Sequence, residues 1–373
     1  MLFELSADQE FLRDTTARFL AQYASVDELR RLRDDATGFE RNYWRRGAEL
    51  GWTSLLVAEA HGGGSVSGHG VVDLTLLAHE FGHAAAPGPF VTTNLVAAAL
   101  SDAAAHLDVL AELVAGTAIA SWCASEPPPA GPYDPPQCTV RVDGDDLVVS
   151  GTKRPVESAG VADHFLVTGR TGESVTQVLV PRDAGGITIE PLHTVDLTRR
   201  FATVRFDDVR VPATAAVGTV GGAAADVARQ LQLALVIASA ESVGAVQRGF
   251  DMTVEWSFDR YTFGRPLASY QALKHRFADM KSWLEASHAV SDAAAGAVQA
   301  RAPEAAELVS AAKAYVGQYG VELLHDCVQI HGGIGVTYEH DLHLVLRRAV
   351  LNQTLFGTPG EHRRRIADLM EAA

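Results

Sequence analysis

Basic residues are scarce: 31 lysines and arginines stand against 46 acids, leaving a net charge of −15. Nucleic acid and anionic membrane surfaces both select a basic footprint, so neither is an expected partner. An anionic small ligand needs only a local positive patch and stays compatible with this balance. Cysteine is scarcer still. The three, Cys123, Cys138 and Cys327, are scattered at no metal-ligand spacing. That argues against a disulfide framework or a metal site and for a reducing, cytoplasmic setting. No apolar run approaches the roughly 18–20 residues of a membrane span. The opening stretch MLFELSADQEFLRDTTARFL has acids early and no long apolar core, so no signal peptide is expected. Internal repeats and useful coiled-coil heptads are lacking as well.

What is present is ordinary globular composition, 47% apolar and 21% charged over 373 residues, enough for two or three packed units. The first part reads as helices. Ser6 with Gln9 three later has the form of a capping box, and Phe11, Leu12, Thr15, Phe19 and Leu20 follow at helical spacing. Further helices are expected at Val71 to Ala85, near Leu95 to Leu100, and from Leu107 to Val114. From about Thr117 the grammar changes to short β-prone runs, punctuated by glycine, proline and aspartate. They are Ala118–Ala124, Cys138–Val142, Leu147–Val149, His164–Thr168, Gln177–Val180 and Thr203–Phe206, and they suggest a small barrel or sandwich. From about Ala223 long helical segments return, over Ala223–Asp259, Tyr270–Ala300, Pro303–Ile330 and Asp341–Thr354, joined by short connections as in an antiparallel bundle. The expected units are residues 1–116, 117–222 and 223–373.

Two turns stand out chemically. Gln329-Ile330-His331-Gly332-Gly333-Ile334-Gly335 ends a long helical pattern on glycines, leaving backbone N–H groups bare for phosphate oxygens, or simply stopping the helix. No strand precedes it, so it is not a dinucleotide-fold fingerprint. Arg260-Tyr261-Thr262-Phe263-Gly264 leads through Pro266 to Tyr270-Gln271. An arginine there can grip a pyrophosphate bidentately and Phe263 can pack on a flat ring; taken singly, Arg260 reads more as a solvated helix end than as a ligand. His79-Glu80-Phe81-Gly82-His83 has the spacing of a zinc-protease helix but lacks its third-ligand extension, so no metal is expected.

Taken together these segments resemble the acyl-CoA dehydrogenase family. RYTFGRPLASYQALKHRFADM and QIHGGIGVTYEHDLHLVLRRA are close to its C-terminal signatures. AHGGGSVSG, LAHEFGHAAAPGPF, SAGVADHFLVTGR and FDDVRVP follow in the family's order along nearly the whole chain. The resemblance implies an α+β, mainly α, fold: an N-terminal helical domain, a middle β-barrel and a C-terminal four-helix bundle. It implies FAD as cofactor, an acyl-CoA substrate, a separate electron acceptor, and dimers or tetramers. It also implies that Arg260, Phe263, Gln271, Gln329, Gly332 and Gly333 hold the ADP half of an FAD seated mainly in the neighbouring subunit.

Three places depart from the family pattern. Where most members have Tyr-Glu-Gly-Thr, with the glutamate as catalytic base, this chain has Leu355-Phe356-Gly357-Thr358. A phenyl ring cannot take a proton. A second position used for the base falls near Ala234, and the next acid is Glu241, about 10 Å further along the same helical face. Glu241 is thus the remaining candidate base, its alternative being a buried polar contact. In Lys153-Arg154-Pro155-Val156-Glu157-Ser158, Pro155 and Glu157 stand where the family places a tryptophan on the flavin and a hydroxyl near its N5. In Ser125-Glu126-Pro127-Pro128-Pro129-Ala130-Gly131-Pro132, the family's Glu-Pro survives but its following Gly-Ser does not. The expectation is a subunit of a heteromeric acyl-CoA dehydrogenase, paired with a homologous chain that owns the carboxylate, with a bulky steroid side-chain thioester as substrate. The alternatives are a self-sufficient homo-oligomer using Glu241, and a flavin-fold protein serving as a non-catalytic scaffold.

Overall fold

The computed structural model describes residues 4–372; the outermost residues of the two terminal units lie outside it. Six helices open the chain: α1 (Ala7–Tyr23), α2 (Val26–Leu32), α3 (Arg41–Glu49), α4 (Gly70–His83), α5 (Phe90–Ala103) and α6 (Leu107–Val114). The capping box forms as expected. The Ser6 hydroxyl accepts from the Gln9 N–H at 3.2 Å, and the Gln9 side-chain oxygen accepts from the Ser6 N–H at 3.0 Å. The same Gln9 amide donates to the buried Asp73 of α4 at 2.8 Å, so the cap also ties α1 to the domain core. That core stacks Trp44, Trp52, Phe81 and Phe90, all buried.

Eight strands follow: β1 (Ala120–Cys123), β2 (Thr139–Asp143), β3 (Asp146–Glu157), β4 (His164–Thr171), β5 (Ser174–Pro181), β6 (Ile187–Leu192), β7 (Phe201–Pro212) and β8 (Ala216–Val217). They form one sheet in the order β6-β7-β3-β2-β4-β5-β8, with β1 parallel to β4. Strands β3 and β7 are longer than their apolar runs suggest. Their pairing continues past Gly151 with register shifts and ends at Val156↔Ala202 and Glu157↔Phe201, which carries Glu157 toward the helical domains.

The last unit contains α7 (Ala224–Asp259), a two-stranded turn of β9 (Tyr261–Thr262) and β10 (Arg265–Pro266), α8 (Gln271–Gln299), α9 (Ala305–Tyr315), α10 (Val321–His331), α11 (Leu342–Thr354) and α12 (Pro359–Ala372). The segment expected as one helix over Pro303–Ile330 is helical without interruption over 305–331, with one irregular turn. A single π-helical turn, Val316–Gly320, separates α9 from α10. Glycines sit where neighbours press closest: a Cβ at Gly320 would meet Val246 of α7, and one at Gly317 would meet Pro359 of α12.

The N-terminal domain docks on the bundle backbone to backbone. A Cβ on Gly82 of α4 would penetrate the Glu241 carbonyl of α7, and one on Gly244 would penetrate the His79 carbonyl of α4. The two glycines thus interlock one crossing, and the residues beside them face each other without slack. Gly82→Ala is expected to lower stability by about 1–3 kcal/mol, the usual penalty for overpacking. Gly360→Ala, where a Cβ meets nothing within 4 Å, is the control expected to change little. Urea denaturation of the two variants checks this.

Candidate active site

A ladder of charged side chains joins the three units. Glu157, at the end of β3, accepts from Arg199 Nε at 2.6 Å. Arg199, in the β6–β7 loop, reaches Glu241 of α7 at 3.1 Å. Glu241 accepts from Arg348 of α11 at 2.6 Å, and Arg348 Nε donates to Asp196 of the β6–β7 loop at 2.5 Å. All five side chains are buried, none more than 8% exposed. Asn352 donates to Glu241 at 2.7 Å and accepts from Arg199 at 3.0 Å. Arg348 also donates to the Ala86 carbonyl just after α4 at 2.9 Å. Burial alone would raise the Asp196 carboxyl, but the Arg348 guanidinium outweighs it and holds the group below the usual carboxylate range. Burial pushes the Glu157 carboxyl up, offset only in part by Arg199. Glu241, the candidate base, therefore lies inside this ladder. Its two oxygens accept from two guanidinium groups and an amide, and it lines none of the cavities around Phe356. Ala234 is buried.

Phe356 lies between α11 and α12 with a left-handed φ of 59°. Two buried basic side chains brace its segment. Lys313 Nζ donates to the Asn352 carbonyl, and His362 Nε2 bonds the Phe356 carbonyl at 2.9 Å. Burial pushes Lys313 down to about 7 and His362 down to about 4. Gly357 is obligatory here, since a Cβ would meet the His362 ring at 2.8 Å.

Three cavities meet at Phe356. A 510 Å³ cavity is lined by Ser125, Arg154, Pro155, Phe201, Thr354 and Gly357 among others. A 320 Å³ groove runs along Trp122, Tyr133, Val175, Val227 and Leu231. Between α5 and β3, a 20 Å³ space carries Thr92, Leu95, Trp122, Glu157 and Phe356, with room for about one water. The Trp122 and Phe356 rings are 5.9 Å apart. The carboxylates bordering these spaces are mostly engaged already. Glu126 pairs with the buried Lys153 at 2.7 Å, Glu157 with Arg199, and Glu361 accepts from the Thr358 N–H and hydroxyl at 2.7 Å.

The six residues expected to hold an ADP group lie elsewhere, on an open face. Arg260 follows α7 and is exposed. Phe263, at the tip of the β9–β10 turn, is 94% exposed with φ of 54°. Gln271 opens α8, and Gln329, Gly332 and Gly333 end α10; all four are exposed. Trp256 joins the two turns: the Arg260 guanidinium lies 5.9 Å from its ring, and the His331 ring stacks on it at 5.2 Å. A Cβ at Gly332 or Gly333 would meet nothing within 4 Å, so the turn is an open cradle. A guanidinium, two amides, a bare aromatic ring and an open glycine turn fit a pyrophosphate and adenosine. The 510 Å³ cavity has the volume and the hydroxyl and guanidinium lining to fit a flavin ring. None of the six residues lines that cavity.

Among the described residues, no group of three histidine, cysteine, aspartate or glutamate side chains is placed to hold a metal. The His79 and His83 rings are 6.4 Å apart, and His79 Nδ1 faces Glu80 at 3.1 Å. No helix of the described residues is long and apolar enough to cross a membrane.

Family models match in three consecutive blocks: acyl-CoA dehydrogenase N-terminal domain over residues 6–116, middle domain over 124–209 and C-terminal domain over 224–370. The chain is similar to acyl-CoA dehydrogenase IpdE2 of Mycolicibacterium smegmatis, 31% identical over 97% of this chain and 98% of that one. Among solved structures it is similar to a variant of the Tcur3481-Tcur3483 steroid ACAD, with a TM-score of 0.89 and 26% identity over 98% of each chain. It also shares the fold of the ChsE4-ChsE5 complex from Mycobacterium tuberculosis, with a TM-score of 0.90 and 24% identity over 100% of each chain.

The ladder sets a stability test. Glu241→Gln removes the carboxylate that bridges Arg199 and Arg348 but leaves each its own partner, Glu157 and Asp196, so the expected loss in denaturant unfolding is about 1–3 kcal/mol, the range for hydrogen bonds to charged groups. Lys313 sets a pH test. Its folded-state pKa lies below the unfolded value, so its neutral form is favoured in the fold. Stability should therefore rise with pH from about 7 to about 10, and Lys313→Met should flatten that rise.

Proposed function

Because the chain belongs to the acyl-CoA dehydrogenase family, we propose that it works as the subunit without a catalytic carboxylate in a heteromeric enzyme. The family oxidises the CH–CH bond next to an acyl-CoA thioester with FAD as cofactor. The reaction takes a proton from Cα and a hydride from Cβ, and a bound flavin supplies the hydride acceptor. A positioned base must take the proton. In this chain the usual position is a phenyl ring, and Glu241 is held between Arg199 and Arg348. We therefore read Glu241 as structural.

The observation that carries the proposal is the separation of the two halves of the cofactor site. Arg260, Phe263, Gln271, Gln329, Gly332 and Gly333 face outward and do not line the cavity beside Phe356. A second chain is needed to complete either half. The arrangement suits a homologous partner whose flavin has its ADP end gripped by this chain. The similar Tcur3481-Tcur3483 protein is named for two components and as a steroid ACAD. That supports a paired assembly, a hetero-tetramer of two chains of each kind, and a bulky steroid side-chain thioester as substrate. The reduced flavin would pass its electrons to a separate acceptor protein.

Purification of the chain alone and with a homologous partner tests the reading. Enoyl-CoA formation is expected only with the partner, and a homomeric preparation that desaturates a thioester at an ordinary enzymatic rate would overturn it. In the complex, Arg260→Ala is expected to weaken FAD retention by about tenfold or more, the loss of one bidentate phosphate grip. Flavin released on dilution measures it.

A further inference from the structure

The 510 Å³ cavity and the 320 Å³ groove share Ser125, Glu126, Ala130, Gly131, Pro132 and Phe356 in their linings. All but Phe356 belong to the connection between β1 and β2. Between Pro127 and Pro136 this connection holds six prolines, at 127, 128, 129, 132, 135 and 136. Proline fixes φ and leaves little backbone freedom to lose on ordering.

The connection is closed at its base and pinned at its tip. At the base, Glu126 accepts from the Gln137 N–H at 2.7 Å and the Cys138 N–H at 2.9 Å. The Lys153 ammonium, fully buried, holds the same carboxylate at 2.7 Å. Within the loop, Asp134 accepts from the Gly131 N–H at 2.7 Å. At the tip, the Tyr133 ring carries the Arg365 guanidinium of α12 at 3.6 Å and meets the His362 ring edge-on at 6.0 Å. Pro132 lies over Gly357, 3.4 Å from where a Cβ would stand. A segment of the β domain thus reaches across to the bundle and stands on the Phe356 segment between two cavities. Its base bonds are buried and charged. Its tip is held by a half-exposed cation on an aromatic face, worth roughly 0.5–1 kcal/mol at an exposed site, and by a neutral contact of the Tyr133 hydroxyl with Ser310. The tip is therefore the end that yields.

We propose that residues 127–136 form a strap that partitions this chain's own ligand space, and that Tyr133 is its latch and a determinant of ligand size. Latched, the groove admits a slender apolar body along Trp122, Val175, Val227 and Leu231. Unlatched, groove and cavity join beside Phe356 and admit a broad, fused-ring body. The inference rests on the proposed function and takes the groove beside Phe356 as the place where the acyl thioester lies. It makes this chain's groove selective by size, independently of the missing base.

The test is thioester binding to the full-length chain by titration calorimetry, with hexanoyl-CoA as the slender probe and a bile-acid CoA thioester as the fused-ring probe. Tyr133→Ala and Arg365→Ala should each improve fused-ring affinity by about two- to fivefold, the full worth of the latch, and Tyr133→Phe, which keeps the ring on Arg365, should not. Hexanoyl-CoA affinity should be unchanged in Arg365→Ala, whose side chain lines neither the groove nor the cavity. Amide exchange at Gly131 and Asp134 should accelerate in the two alanine variants and not in Tyr133→Phe. Equal fused-ring binding by wild type and Tyr133→Ala, or no binding of either thioester, overturns the inference. Turnover is scored separately: a wild-type chain that desaturates hexanoyl-CoA alone overturns the reading of the chain as a base-less subunit, whatever the strap variants do.

Discussion

The buried ladder from Glu157 through Arg199, Glu241 and Arg348 to Asp196 is the constraint on which the rest of this molecule depends. Each unit contributes: β3 and the β6–β7 loop from the sheet, α7 and α11 from the bundle, and the Ala86 carbonyl from the N-terminal domain. Buried charges are expensive to desolvate and stabilise a fold only when geometry and extra hydrogen bonds satisfy them. Here Asn352 and Thr198 supply those bonds. Three carboxylates face two guanidiniums, and the surplus falls on Glu157, the end member whose carboxyl burial pushes up. The ladder fixes the end of β3 against the end of α11, the two walls of the space around Phe356. An acid that sequence spacing offers as a base is thereby committed to holding domains together.

The six residues proposed to grip a phosphate obey a different logic. They are exposed, and Trp256 rather than a charge network links their two turns. A surface that is finished only by a second chain does not need the local chemistry to be intact. In the proposed assembly, this would let the chain carry a phenyl ring at 356 and still use Arg260, Gln329 and the glycine turn. The two sets of residues answer to two different flavins in the proposed assembly, so selection acts on them separately.

Much of this was legible in the residues. The capping box at Ser6 and the period of α4, α7 and α8 need no tertiary information, and the change of grammar near Thr117 comes just before β1. The π turn between α9 and α10 was not legible, because one extra residue shifts the apolar spacing over only a turn and its glycines read as tolerated interior positions. The ladder was hidden for another reason. Its partners are 42, 107 and 152 positions apart, and no local pattern reports such pairs. One signal did exist. Glu241 interrupts LQLALVIASAESVGAV, and an acid inside a run that is buried on every face must find a cation. Arg348, inside LHLVLRRAVL, is the matching cation by the same argument.

The replacement at 356 and the one at 157 form a pair. Both side chains border the same 20 Å³ space, closed by Trp122, Leu95 and Leu355. Two carboxylates in so small a volume would repel, and each would raise the other's pKa on top of the burial already acting on Glu157. The structure holds one acid there, anchored on Arg199, and a ring opposite it packed on Trp122. A carboxylate at 356 would border Glu157 across this space as well as the two larger cavities, and that neighbour would raise its proton affinity. The space beside Phe356 is thus rebuilt around an acid that serves the ladder, and the missing base is one part of that rebuilding.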